Sequence, residues 1–275
     1  MQKAQEEQKM SDAMKVIYIC FPEGKHKVLT MSYDDGKLAD RRLVSIFNHY
    51  GIKGTFHLNS GMHGPERIPS EEWKALYEGH EMSCHTVTHP TIARSPVEQV
   101  AVQVLEDRRY IERIAGYPVR GLSYPNGSYN REIIELLPKL GIEYSRIVGN
   151  TDDFSMPENY LAWEATCHHN HNLIENGKRF LELKKTQYMY MMYVWGHSYE
   201  FDRDNNWELM EEFCEMMSGQ EDIWYATNIQ IVDYMKAAKN LRFTLDGDLV
   251  YNPNAMDIWT VSYTHLRAHE TSQDL

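Results

Sequence analysis

Lys27-Val28-Leu29-Thr30-Met31-Ser32-Tyr33-Asp34-Asp35-Gly36 runs from a β-branched and aromatic segment straight into two carboxylates and a glycine. Such a run predicts a strand over 27–33 with a polar turn at its end. The next segment is helical in period: Leu43, Ile46, Phe47 and Tyr50 share one face of 38–50, and Gly51 ends it. The alternation continues. Strands are expected at 54–58, 81–84, 121–124, 144–148, 188–195 and 223–226. Ser70 can cap a helix whose first turn carries Glu71 and Glu72, and Ser95-Pro96-Val97-Glu98 combines an N-cap, a first-position proline and a capping-box glutamate. Further helices are expected over 131–140, 207–217 and 229–238, and a hairpin over 242–251 around Asp246-Gly247. Repeated β-then-α spacing argues for a parallel sheet with helical crossovers, so the fold class is α/β, as one barrel-like domain.

At 275 residues the chain is near the upper limit for a single core. Twenty-eight basic against 40 acidic residues leave a net charge of −12. A nucleic-acid binder needs a basic footprint, so no nucleic acid is expected as a partner, and an anionic membrane surface is disfavoured for the same reason. No G-x-G-x-x-G follows a strand and no G-x-x-x-x-G-K-[ST] occurs, which removes the main support for dinucleotide or nucleoside-triphosphate binding. Cys20, Cys84, Cys167 and Cys214 are widely spaced without C-x-x-C and read as reduced thiols. The polar N-terminus has no apolar signal region, so a cytoplasmic location is expected.

Both ends are set apart. Residues 1–13 read as a tail or upstream extension, 14–240 as the barrel domain and 241–260 as the start of a truncated β extension. Val261–Thr271 resembles a translated sequencing adaptor, so 261–275 reads as an artefactual tail. The His265/His269 pair is therefore excluded as a metal motif.

Polar residues that could do chemistry collect just after the strands: Asp34-Asp35-Gly36, His85-x-x-x-His89, Arg120 to Gly127, and Trp195-Gly196-His197. In α/β barrels the C-terminal strand ends converge on one face, where active sites lie. Each cluster alone has a plainer reading, as a turn, an incidental histidine pair, a surface arginine or a buried histidine. The histidine spacing also matches H-E-x-x-H, but Thr86 replaces the glutamate. Thr86-Val87-Thr88 is β-branched and Pro90 is close behind, which speaks against a helix. Cys167-His168-His169-x-His171 suggests a second metal cluster, but without paired spacing it reads better as a loop or groove lining.

Taken in order, S-Y-D-D-G, H-T-V-T-H, R-G-L-S-Y-P-N-G and W-G-H resemble the polysaccharide deacetylase family, the NodB-homology group or fourth carbohydrate esterase family, from about Phe21 to Tyr234. The resemblance implies a distorted (β/α) barrel acting as a hydrolase. It would use a divalent metal to remove acetyl from an N-acetylated amino sugar or oligosaccharide and release acetate. Zinc is the first choice of metal, with cobalt, manganese or nickel as alternatives. Asp35, His85 and His89 match the family's metal ligands, Asp34 its general base, Arg120 the arginine that orients that base, and His197 the proton donor to the leaving amine. The backbone N–H of Asn126 would face the oxyanion, and Tyr124, Asn126, Trp163 and Trp195 would contact substrate, although buried aromatics more often belong to a core. The family often places an Asp before a Trp as the carboxylate partner of the histidine. Here Trp163-Glu164 has the reverse order and Asp152-Asp153 comes earlier, so that role is unassigned. Ser32-Tyr33 and Asn126 also depart from the usual residues. Two other readings remain: a hydrolase of a small amide, cyclic imide or O-acetyl ester, and a non-catalytic carbohydrate-binding protein.

Overall fold

A computed structural model describes residues 13–266. The chain divides into two compact units, 26–233 and the two ends, 1–25 with 234–275. In the terminal unit, β1 (Ala13–Cys20) pairs antiparallel with a strand at Trp259–Leu266 along their whole length. Phe21 and Tyr234 pack ring against ring, and the Tyr234 hydroxyl donates to the Cys20 carbonyl at 2.5 Å. The expected hairpin forms, with Arg242–Phe243 pairing antiparallel with Val250–Tyr251.

The strand Ala13–Cys20 and the strand Trp259–Leu266, which includes residue 260, both lie in the terminal unit. His265 is in register with Met14, while His269 lies outside the described residues.

The larger unit is built on parallel strands: β2 (Lys27–Asp34), β3 (Gly54–Leu58), β4 (Glu81–Cys84), β5 (Gly121–Ser123), β6 (Tyr144–Arg146), β7 (Cys167–His168), β8 (Tyr190–Gly196) and β9 (Ile223–Tyr225). Their spatial order is β6-β5-β4-β3-β2-β8-β7, with β9 paired to β2. β2 gives its C-terminal half to β3, from Met31 to Asp34, and its N-terminal part to β9, from Lys27 to Leu29. The ends of this curled sheet are linked by the segment ahead of β7. Arg146 bridges in parallel to Trp163, whose N–H donates to the Ser145 carbonyl at 2.9 Å. The result is the expected distorted (β/α) barrel.

Every residue of β2, β3 and β4 is buried, as covering on both faces requires. The helix Asp40–Tyr50 buries Leu43, Ile46 and Phe47 of the expected stripe, with Val44 beside them and Tyr50 only partly buried, and ends at Gly51 in the left-handed region at φ 69°. The helix Val97–Ala115 begins after Pro96 with no side-chain cap bond, so the expected capping box is not its start. Pro138 does not end the 131–140 segment but tightens it: α-helix to Leu136, then 3-10 turns to Leu140. The four cysteines are free and buried. No described helix is long and apolar enough to cross a membrane.

Candidate active site

β2 carries Asp34 as its last residue and Asp35 just beyond, and the loop after β4 carries His85 and His89. One ligand atom each from Asp35, His85 and His89 lies within 4.8 Å of the others, close enough to hold one metal ion. Three of the residues here sit at positive φ: Asp35 at 81°, Thr86 at 65° and His89 at 55°. Asp and His tolerate this region better than most, but a β-branched Thr does not. The surroundings hold the loop there. Asn59 Nδ2 donates to the carbonyls of His85 and Thr86 at 2.7 and 2.9 Å. The buried Asp107 carboxylate accepts from the backbone N–H groups of Ser60 and His85 at 2.8 and 3.0 Å.

The donor set fits a catalytic divalent cation: two imidazoles and one carboxylate, with coordination positions left over. His85 Nδ1 is 2.9 Å from the Ser123 carbonyl, which favours a proton on that nitrogen and a bare lone pair on Nε2. That Nε2 is buried without a hydrogen-bond partner among the described residues. Burial lowers the His85 imidazole to about 4, so it is neutral as a ligand must be.

Asp34 sits beside this triad. Its Oδ1 accepts from Ser123 Oγ at 3.0 Å, its Oδ2 is bonded to the Arg146 guanidinium, and His85 Nε2 is 3.8 Å away. Burial would push this carboxyl up. Arg146 and the neighbouring imidazoles outweigh it and hold Asp34 well below the usual carboxylate range.

Arg146 therefore corrects the sequence reading, which gave this role to Arg120. Arg120 is paired instead with Asp233, through two 2.6 Å bonds, and with Glu143 at 3.1 Å. The reason is the barrel's polarity. Arg120 precedes β5 and so lies at the opposite end from the strand termini that build the site, while Arg146 is the last residue of β6. The signal was present: a charged residue in a strand that is otherwise buried needs a partner.

His197 comes directly after β8, and its unassigned carboxylate is Glu200, from the short helix Tyr199–Asp204. Glu200 Oε2 lies 3.5 Å from His197 Nδ1 and 2.9 Å from His168 Nε2, and it accepts from the His197 backbone N–H at 3.3 Å. Burial lowers His197, but Glu200 together with Asp34 and Asp35 prevails and raises it above an ordinary histidine. Glu200 lies three residues past His197, a spacing that faces it only once Tyr199–Asp204 is helical, so the sequence did not single it out.

The tempting histidine cluster splits. His171 turns to Asp152 at 2.9 Å and Cys167 is buried in the core, while His168 and His169 meet Glu200.

The expected substrate aromatics are corrected in part. Trp163 is fully buried against Tyr144 and Tyr193, and Tyr124 is 1% exposed with its hydroxyl bonded to the Leu161 carbonyl at 2.7 Å. Both are core residues, because the segment at 163 is needed to link the barrel's ends. Trp195 reaches the site from beneath: Arg146 stacks on its ring at 4.4 Å, and its indole N–H donates to the Gly149 carbonyl at 2.9 Å. Asn126 is exposed in a turn at φ 56°, its amide donating to Thr91 Oγ1 at 3.3 Å. An open cleft of about 600 Å³ runs from Asp35 past Lys37, Glu66, Tyr199 and Asp202. Tyr199, with Lys37 over its ring at 5.7 Å, is its aromatic wall.

Residues 21–145 match the family model described as polysaccharide deacetylase, a stretch that holds the first three motifs. A peptidoglycan-N-acetylglucosamine deacetylase of Bacillus cereus is 26% identical over 116 residues, 42% of this chain and 40% of that protein. A chitooligosaccharide deacetylase of Azorhizobium caulinodans is 26% identical over 127 residues, 46% of this chain and 55% of that protein. The matches thus span about half or less of these relatives' lengths. In fold, a polysaccharide deacetylase candidate from Mycobacterium smegmatis superposes with TM-score 0.64 at 17% identity, over 82% of this chain and 96% of that one. The PuuE allantoinase superposes with TM-score 0.58 at 13% identity, over 78% of this chain and 91% of that one.

Proposed function

We propose that this chain, which resembles the polysaccharide deacetylases in both motif order and fold, is a metal-dependent hydrolase that removes acetyl from an N-acetylated amino sugar or its oligomers. One observation carries the reading: Asp35, His85 and His89 converge within 4.8 Å beside an Asp34 held ionised by Arg146.

Amide hydrolysis needs an activated water, an acceptor for its proton, a counter-charge for the oxyanion and a proton for the departing amine. When bound by Asp35, His85 and His89, a divalent cation would supply Lewis acidity to the amide carbonyl and to water. Asp34 accepts the water's proton. Its Oδ2 is 3.8 Å from His85 Nε2, and Arg146 and Ser123 fix its orientation. The turn at Asn126 offers a backbone N–H to the oxyanion. His197 returns a proton to the amine nitrogen as the C–N bond breaks, leaving acetate and a free amino sugar. The cleft beside Asp35, walled by Tyr199, takes the sugar ring.

The test is acetate release from N-acetylglucosamine oligomers and peptidoglycan fragments, with and without chelator, beside a panel of imides and O-acetyl esters. Chelator-sensitive release from the amino sugars is expected. Turnover confined to imides or esters would move the substrate class, and glycan binding without turnover would end the enzymatic reading.

A further inference from the structure

Three imidazoles converge on a single carboxylate oxygen at the second histidine cluster. Glu200 Oε2 lies 2.9 Å from His168 Nε2, 3.4 Å from His169 Nε2 and 3.5 Å from His197 Nδ1. Hydrogen bonding accounts for the His168 contact but not for that of His169. His169 is fully buried, yet neither of its ring nitrogens has a hydrogen-bond partner among the described residues, and the same holds for His197 Nδ1. A buried polar group left unpaired is costly, so two such atoms facing one oxygen need a reason.

The His169 ring packs against Tyr33, centroids 5.8 Å apart, and Phe201, at 4.1 Å, contacts that pair neither of its nitrogens. The backbone yields room as well: a Cβ at Gly196 would collide with the His169 ring, so the Trp195-Gly196-His197 segment needs its glycine to admit this imidazole.

We infer that His168, His169 and Glu200 form a second divalent-cation site, separate from Asp35, His85 and His89. One ligand atom from each lies within 4.8 Å of the others. Ligands about 2.0–2.1 Å from a tetrahedral zinc sit roughly 3.3 Å from one another, and the 2.9 and 3.4 Å separations from Glu200 Oε2 bracket that edge. Two imidazoles and a carboxylate suit zinc or cobalt, with a coordination position left over. An ion here ties the loop after β7 to the helix Tyr199–Asp204. It takes over the carboxylate oxygen on which the three imidazoles converge. The inference does not depend on the proposed deacetylation.

The experiment is metal counting on the full chain, stripped with chelator and reloaded with Zn²⁺ or Co²⁺, using elemental analysis and the cobalt visible spectrum. Wild type should bind two ions per chain. Asp35→Ala should keep one, Glu200→Gln should keep one, and the double variant none. Glu200→Gln preserves volume. His169→Ala, read alongside circular dichroism to show that it folds, should match it. A single ion lost with Glu200→Gln but retained in Asp35→Ala supports this site and sinks the first. A wild type whose bound ions are unchanged in both Glu200→Gln and folded His169→Ala overturns the proposal.

Discussion

Asp34 and Arg146 form a buried ion pair, their side chains 4% and 1% exposed, so removing either partner leaves an uncompensated charge. Breaking such a pair costs about 3–5 kcal/mol, whereas a pair as accessible as Arg120 with Asp233 is worth about 1 kcal/mol or less. Arg146→Gln should therefore lower the urea midpoint markedly and abolish acetate release, and Arg120→Gln should change both little. The reverse ranking would restore the arginine role to Arg120. Asp34→Asn should bind metal as wild type does but lose at least about 100-fold in kcat, the size of a general-base contribution. Full activity in Asp34→Asn would remove the proposed proton acceptor.

At the scale of elements, two strands make claims of their own. β8 ends at Gly196, whose missing side chain is the space occupied by His169. Gly196→Ala should cost about 1–3 kcal/mol by overpacking, and thermal melting should show the loss. β4 opens with Glu81, a buried carboxyl that accepts from Tyr144 Oη, Thr55 Oγ1 and the Ile229 N–H at 2.7, 3.0 and 2.9 Å. Burial outweighs these donors and raises it to about 7. The folded chain therefore holds this proton to a higher pH than the unfolded chain, where a glutamate releases it near ~4.3. Stability from this group is complete below the unfolded value and is lost as pH rises through about 7. The melting temperature of wild type should fall more steeply between about pH 4.5 and 7 than that of Glu81→Gln. Parallel curves would show that Glu81 does not titrate in this range.

For the whole molecule, metal binding couples to folding. A ligand that binds only the folded state at about 1,000 times its Kd adds about 4 kcal/mol. Zn²⁺ should thus raise the melting temperature of stripped protein and EDTA should reverse it. His85→Ala should keep only the part of the shift that belongs to the second site. A melting temperature indifferent to both metal and chelator would contradict both centres. The effect should also reach beyond one loop, because Asp35 follows β2 while His85 and His89 follow β4. Tying these ends together stiffens the barrel rather than one loop.

Local chemistry made much of this legible in advance. The period of Leu43, Ile46 and Phe47, the stop at Gly51 and the alternation of strands and helices are encoded within a few residues of each other, so the barrel could be read before any contact was known. Asp34-Asp35 and His85-x-x-x-His89 were legible for the same reason, since each pair is close in the chain and unusual in composition. Arg146 and Glu200 carry no such signature. An arginine in a short strand and a glutamate on a short helix are ordinary until the sheet curls. Closure of the ring at Arg146 and Trp163, and the turn of helix after His197, set which side chains share one low-dielectric space. Pairing of buried charges is decided in that space, between residues as far apart in sequence as Asp34 and Arg146, and so only the tertiary structure could assign it.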